Sequence, residues 1–153
     1  MTAIDLSPQL DAIRRNHREY WHSREALAEL IALWGGAECN EHGVLANRET
    51  TRIDLDGWAA EVHIARAPNG WHAVSTSYWY STGGGGSSPS VWSRTAYTTH
   101  DEALAAGIAD LIHQFEGVRD WQSTVPQLQS QMAERMIDRL ASLRAGARQL
   151  SLF

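Results

Sequence analysis

The chain has 153 residues, 43% of them hydrophobic, with thirteen basic and eighteen acidic side chains and a formal charge of −5. That length suits one domain with an extension, and that apolar share excludes wholesale disorder. The acidic balance argues against a tight, non-specific grip on nucleic acid, which needs many cations near phosphates.

All thirteen basic residues are arginine. Cys39 is the only cysteine, so neither an internal disulfide nor a cysteine-rich zinc site is available. No apolar run approaches the ~20 residues of a membrane helix. Met1-Thr2-Ala3-Ile4-Asp5 lacks the basic and apolar regions of a signal peptide. A soluble cytoplasmic protein is the expectation.

Ser7-Pro8 predicts a helix start, a hydroxyl N-cap with proline at the first helical position. Leu10, Ile13, His17, Tyr20 and Trp21 follow at helical spacing, then Leu27, Leu30, Ile31 and Trp34, and Gly35-Gly36 ends the stripe. Ser23 either caps a second helix or is passed through, giving one long or two short helices over residues 8–34. Residues 37–50 carry no period and read as loop. From Thr51 alternation takes over: Ile53, Leu55 and Trp58, then Val62 and Ile64. Pro68-Asn69-Gly70 is a turn signal, because glycine supplies the positive φ. Beyond it Trp71, Ala73, Ser75 and Ser77 face one way and His72, Val74, Thr76 and Tyr78 the other, completing a β-hairpin.

Residues 83–89, four glycines followed by Ser-Ser-Pro, read as a flexible loop. Val91, Trp92 and Tyr97 mark a third strand. Thr99-His100-Asp101-Glu102 is a capping box that opens a helix, with Leu104, Ile108, Leu111, Ile112 and Phe115 on its buried face and a stop at Gly117. Residues 118–125 read as a connector with Trp121 as an anchor. A last helix from near Pro126 carries Leu128, Met132, Met136, Leu140 and Leu143, and Gly146 breaks it. The expected fold is α+β: an N-terminal helix, a three- to four-stranded antiparallel sheet, a packed helix, then a C-terminal helical arm and tail. The divisions are a globular part at 1–117, connector and arm at 118–146, and a flexible tail at 147–153.

The α-β-β-β-α order resembles that of double-stranded RNA-binding domains. Those domains open their last helix with lysines, whereas Thr99-His100-Asp101-Glu102 is acidic here. The likeness is topological and RNA binding does not carry over.

Gln149-Leu150-Ser151-Leu152-Phe153 resembles the peptide by which bacterial replication and repair proteins bind the DNA sliding clamp, the β subunit of DNA polymerase III, whose common form is Gln-Leu-Ser/Asp-Leu-Phe. Every position matches, and a chance match arises about once per million positions. The resemblance implies that Leu152 and Phe153 fill the main clamp pocket, Leu150 a subsidiary one, and Gln149 bonds at the rim, with Ser151 outward. Burying each large apolar side chain contributes roughly 1.5–3 kcal/mol, offset by ordering the tail, so an affinity near micromolar, about −8 kcal/mol, is expected. The alternative is that Leu152 and Phe153 pack back on the last helix. The expected function is thus a replisome-associated adaptor, of the kind phages, plasmids and other mobile elements carry, which recruits a partner or competes with other clamp clients.

A second candidate is a single-stranded DNA surface in which Trp79 and Trp92 stack bases and Arg52, Arg66 and Arg94 reach phosphates. For metals, Cys39 and His42 have a ligand-like gap and His63 and His72 flank the hairpin turn, yet no full ligand set is evident. No catalytic triad, paired-carboxylate or nucleotide motif can be defended, so no enzyme, cofactor or metal is expected.

Overall fold

The computed structural model describes residues 3–121 and 127–150, with side chains in the last helix described over 128–146. Its strands are β1 (Ala3–Asp5), β2 (Glu49–Leu55), β3 (Trp58–Arg66), β4 (His72–Tyr80), β5 (Gly83–Gly86) and β6 (Thr95–Tyr97). Its helices are α1 (Ser7–Asn16), α2 (Arg24–Leu33), α3 (His100–Asp120) and α4 (Gln127–Leu150), with a 3₁₀ turn at Tyr20–His22 between the first two. The α+β class is as expected, but the antiparallel sheet has six strands in place of three or four, in the order β1-β6-β4-β3-β2 with β5 also on β4.

Two of the extra strands have clear causes. β1 is three residues long, too short to show a period, and exists because β6 offers it an edge. β5 is the glycine run itself, paired from Ser77↔Gly86 to Tyr80↔Gly83. Glycine is required there, because a Cβ at Gly84 or Gly86 would collide with the Tyr78 carbonyl or the Ser77 hydroxyl. The edge of β4 thus overrides a composition that reads as loop. Val91 and Trp92 lie outside the strand they were expected to lead, and Val91 is fully buried.

The N-terminal stripe divides into two helices. Ser23 accepts from the Ala26 N–H and so caps α2. For α1, Ser7 is the first helical residue, and Asp5 accepts from its N–H at 2.9 Å. Serving that N–H holds the Asp5 carboxyl below its usual range. Thr99 caps α3 as predicted, through the Glu102 N–H. Gly117 does not end α3, which runs to Asp120, and Gly146 does not end α4, which continues to Leu150. Trp121 is half exposed and anchors little. Residues 122–126, the rest of the connector with Pro126, lie outside the described residues.

Alternation splits the core into two clusters. Trp58, Ala60, Val62 and Ile64 of β3 face α3 and α4, where they meet Ile108, Leu111, Phe115, Met132, Met136 and Leu140. The helical arm is therefore packed along α3. Arg119 near the end of α3 bonds Glu134 near the start of α4, so the two helices are antiparallel. On the other sheet face Ala65, Ala67 and Ala73 meet Leu10, Leu30 and Trp34 of the α1–α2 layer. That layer covers only one end of the face. The other end stays open and polar.

Candidate functional site

The five candidate nucleic-acid residues do not form one surface. Arg52 and Trp79 meet on the open half of the sheet, with the guanidinium 5.3 Å from the indole centroid. Trp79 lies between Ala59 of β3 and Gly84 of β5 in the pairing register. Small neighbours on both sides leave the indole standing clear, 42% exposed. In the next row Arg52 faces Glu61 across β2 and β3.

Arg52 is already engaged. It forks onto Asp54 with nitrogens at 2.9 and 3.0 Å, and reaches Glu61 at 3.0 Å. These bonds push its pKa up and the Asp54 carboxyl down. One cation beside two carboxylates leaves this patch net negative, which opposes phosphate.

Behind it, His63 is 2% exposed, held between the Thr50 and Ser77 hydroxyls at 2.9 and 3.1 Å. Burial, then the charge of Arg48, lowers its pKa against the smaller pull of Glu61. His72 points to the opposite sheet face, beside His100 at 6.3 Å between ring centroids. The two histidines flanking the turn are thus separated by strand parity. Cys39 is bridged to Leu45, and burial raises its thiol pKa. Among the described residues no group of three or more His, Cys, Asp or Glu is placed to hold a metal.

Trp92 sits in a cleft of about 290 Å³ with Tyr20, Trp21, His22 and His42. Arg14 lies over the Tyr20 and Trp92 rings at 5.0 and 5.8 Å. Sequence reasoning missed Arg14 and Tyr20 as its partners, because they come from the far α1–α2 layer and no local spacing signals them. Arg94 bonds Asp11 at 3.2 Å. Arg66 closes β3 seven positions beyond Ala59, the partner of Trp79, about 23 Å along the strand.

The candidate clamp-binding peptide begins inside α4. The backbone of Gln149 and Leu150 is helical. Their side chains, and all of Ser151, Leu152 and Phe153, lie outside the described residues.

An apolar pocket of about 420 Å³ opens at the other end of α4, lined by Trp58, Leu128 and Met132 among others. No helix among the described residues is long and apolar enough to cross a membrane. Comparison with protein-family models, with curated proteins and with solved structures finds no match.

Proposed function

We propose that this protein is a cytoplasmic, replisome-associated accessory protein that binds the bacterial DNA sliding clamp through residues 149–153, recruiting a partner or competing with other clamp clients. The observation that carries the reading is the full match of Gln149-Leu150-Ser151-Leu152-Phe153 to the clamp-binding pattern.

Geometry supports it in one way. The packed part of α4, ending with Leu140 and the partly buried Leu143, ties the peptide to a folded body.

Docking as an extended peptide requires Gln149 and Leu150 to leave the last helical turn. Helix ends fray at low cost, and Gly146 lowers that cost further. The test is titration of the full chain against purified clamp. The native protein should bind near micromolar, and the double substitution Leu152→Ala, Phe153→Ala should weaken binding at least a hundredfold. Equal affinity of the two would end the reading.

A second reading, a single-stranded DNA surface, is supported by the free-standing Trp79 and opposed by the carboxylates around Arg52. Oligo-dT at low salt should quench tryptophan fluorescence in the native protein and not in Trp79→Ala if that surface operates. No quenching would remove it.

A further inference from the structure

We propose that the free edge of β2 pairs antiparallel with the same edge of a second copy of this chain, so that two sheets join across a two-fold axis at Ile53.

β2 closes one end of the sheet and pairs with β3 alone. The direction of its backbone groups follows from the turn that ends it. Asp56 and Gly57 form a two-residue loop with φ of 49° and 86°. Two positive φ values in such a loop define a hairpin whose flanking residues, here Leu55 and Trp58, exchange both hydrogen bonds. Counting back, Ile53, Thr51 and Glu49 also bond to β3. Asp54, Arg52 and Thr50 therefore aim their N–H and C=O groups away from the sheet. The β3–β4 hairpin gives the same phase independently. Ala67 donates to the Trp71 carbonyl, so odd residues of β3 serve β4 and even ones serve β2. Among the described residues no strand or isolated bridge takes the outer edge of β2.

Such edges are commonly protected by proline, a bulge or lysines. β2 reads Glu-Thr-Thr-Arg-Ile-Asp-Leu and has none of these. Its register with β3 runs unbroken from Glu49↔Ile64 to Leu55↔Trp58.

The charges select the partner. With the axis at Ile53, Arg52 of each copy lies opposite Asp54 of the other on the open face of the sheet. Both residues turn their backbone groups outward, so each such pair also exchanges two backbone bonds. Arg52 now forks onto Asp54 of its own strand, and the two side chains are 47% and 66% exposed. Exchanging one Asp54 for the other therefore disturbs nothing buried. On the helix-covered face Ile53 meets its own copy and Leu55 meets Thr51. Ile53 and Leu55 are only partly buried against the α3–α4 cluster, and the added strand covers the side left open.

Neighbouring registers fit worse. An axis at Arg52 sets two guanidiniums against each other, which is destabilising. An axis at Thr51 sets Ile53 against Glu49. The joint also closes on itself. It occupies β2 in both copies, and the strand at the far end of the sheet, β1, has only three residues. A dimer results and not a fibre.

The test is sedimentation equilibrium of the full chain from about 10 µM to about 1 mM. Strands this short make a small interface, so dimerisation should be weak and confined to the upper part of that range. Arg52→Asp sets carboxylate against carboxylate across the axis and should weaken dimerisation at least tenfold. Asp54→Arg should do the same by setting guanidinium against guanidinium. The double variant restores opposite charges and should recover the native dimer to within threefold. Far-UV circular dichroism checks that all three fold. In a Cys39→Ser background, Ile53→Cys should give a disulfide-linked dimer at least tenfold faster than Leu55→Cys, because only position 53 faces itself across the axis.

A native protein that stays monomeric at 1 mM overturns the proposal. So do single charge variants that dimerise like the native chain, a double variant no better than the single ones, and equal crosslinking through positions 53 and 55. The clamp-binding peptide is not part of β2, so a monomeric protein leaves the clamp reading intact.

Discussion

Gly107 of α3 lies so close to Val62 of β3 that a Cβ on it would come within 2.6 Å of Val62 Cγ1, and within 3.0 Å of Val74 Cγ2. A glycine inside a helix costs about 1 kcal/mol relative to alanine. Here that cost lets α3 close on the sheet. Both facing atoms belong to β-branched side chains with little freedom to swing aside. Gly107→Ala should therefore gain helix propensity yet lose about 1–3 kcal/mol to overpacking, for a net loss near 1 kcal/mol. A lower urea midpoint with an unchanged slope would bear this out. A stabilised variant would mean that the helix shifts freely on the sheet.

His63 makes stability depend on pH. Its pKa in the folded protein lies below the ordinary value of 6.5, first because burial disfavours the cation and then because of Arg48. Above pH 6.5 it is neutral in both folded and unfolded chains, and its contribution is fully present. As pH falls below 6.5 the unfolded chain takes up the proton first, so stability declines until the folded pKa is passed. His63→Gln can still bond Thr50 and Ser77 but does not titrate. The variant should flatten this part of the stability profile between pH 7.5 and 5, measured by urea unfolding. An equal decline in both proteins would assign it to other groups.

Met136 of α4 is fully buried, in one cluster with Phe115 and Leu111. Met136→Ala should cost about 2–5 kcal/mol, the usual range for emptying a buried site. Leu128, on the same helix and largely exposed, should tolerate alanine within ~0.5 kcal/mol. Thermal unfolding of both variants measures the contrast. Equal, small effects would mean that α4 is not part of the cooperative core.

The parts of the fold that could be read from the sequence are those whose pattern was local. The stripe of α3, its threonine cap, the turn at Asn69-Gly70 and the opposite facing of Trp71 and His72 all emerged from period and turn chemistry. β1 and β5 did not, because three residues carry no period and four glycines carry no side chains. Their strand character comes from edges supplied elsewhere in the chain. Gly117 and Gly146 misled for a related reason. Neither takes a positive φ, and neither Cβ position meets anything within 4 Å, so each is an ordinary helical residue that propensity alone would eject.

The aromatic and arginine content of the predicted strands pointed to Trp79 and Arg52 but hid their charge balance. Only the fold brings Asp54 and Glu61 onto the same guanidinium.

Gly146 also separates two demands on α4. Its open surroundings mean that Gly146→Ala adds helix propensity without a clash, about 0.5–1 kcal/mol of local helix stability. If residues 149–153 must unwind from the last turn to enter a clamp groove, that gain opposes docking. Clamp affinity should then fall about two- to fivefold, the same energy expressed as a ratio. The effect should appear in the titration while global unfolding changes little, since the last turn frays before the body unfolds. Replacing Gly146 by proline, which breaks the helix at that point, should leave affinity equal to the native value or raise it. Weakened binding in the proline variant would mean that the helix itself, and not an extended peptide, presents Leu152 and Phe153.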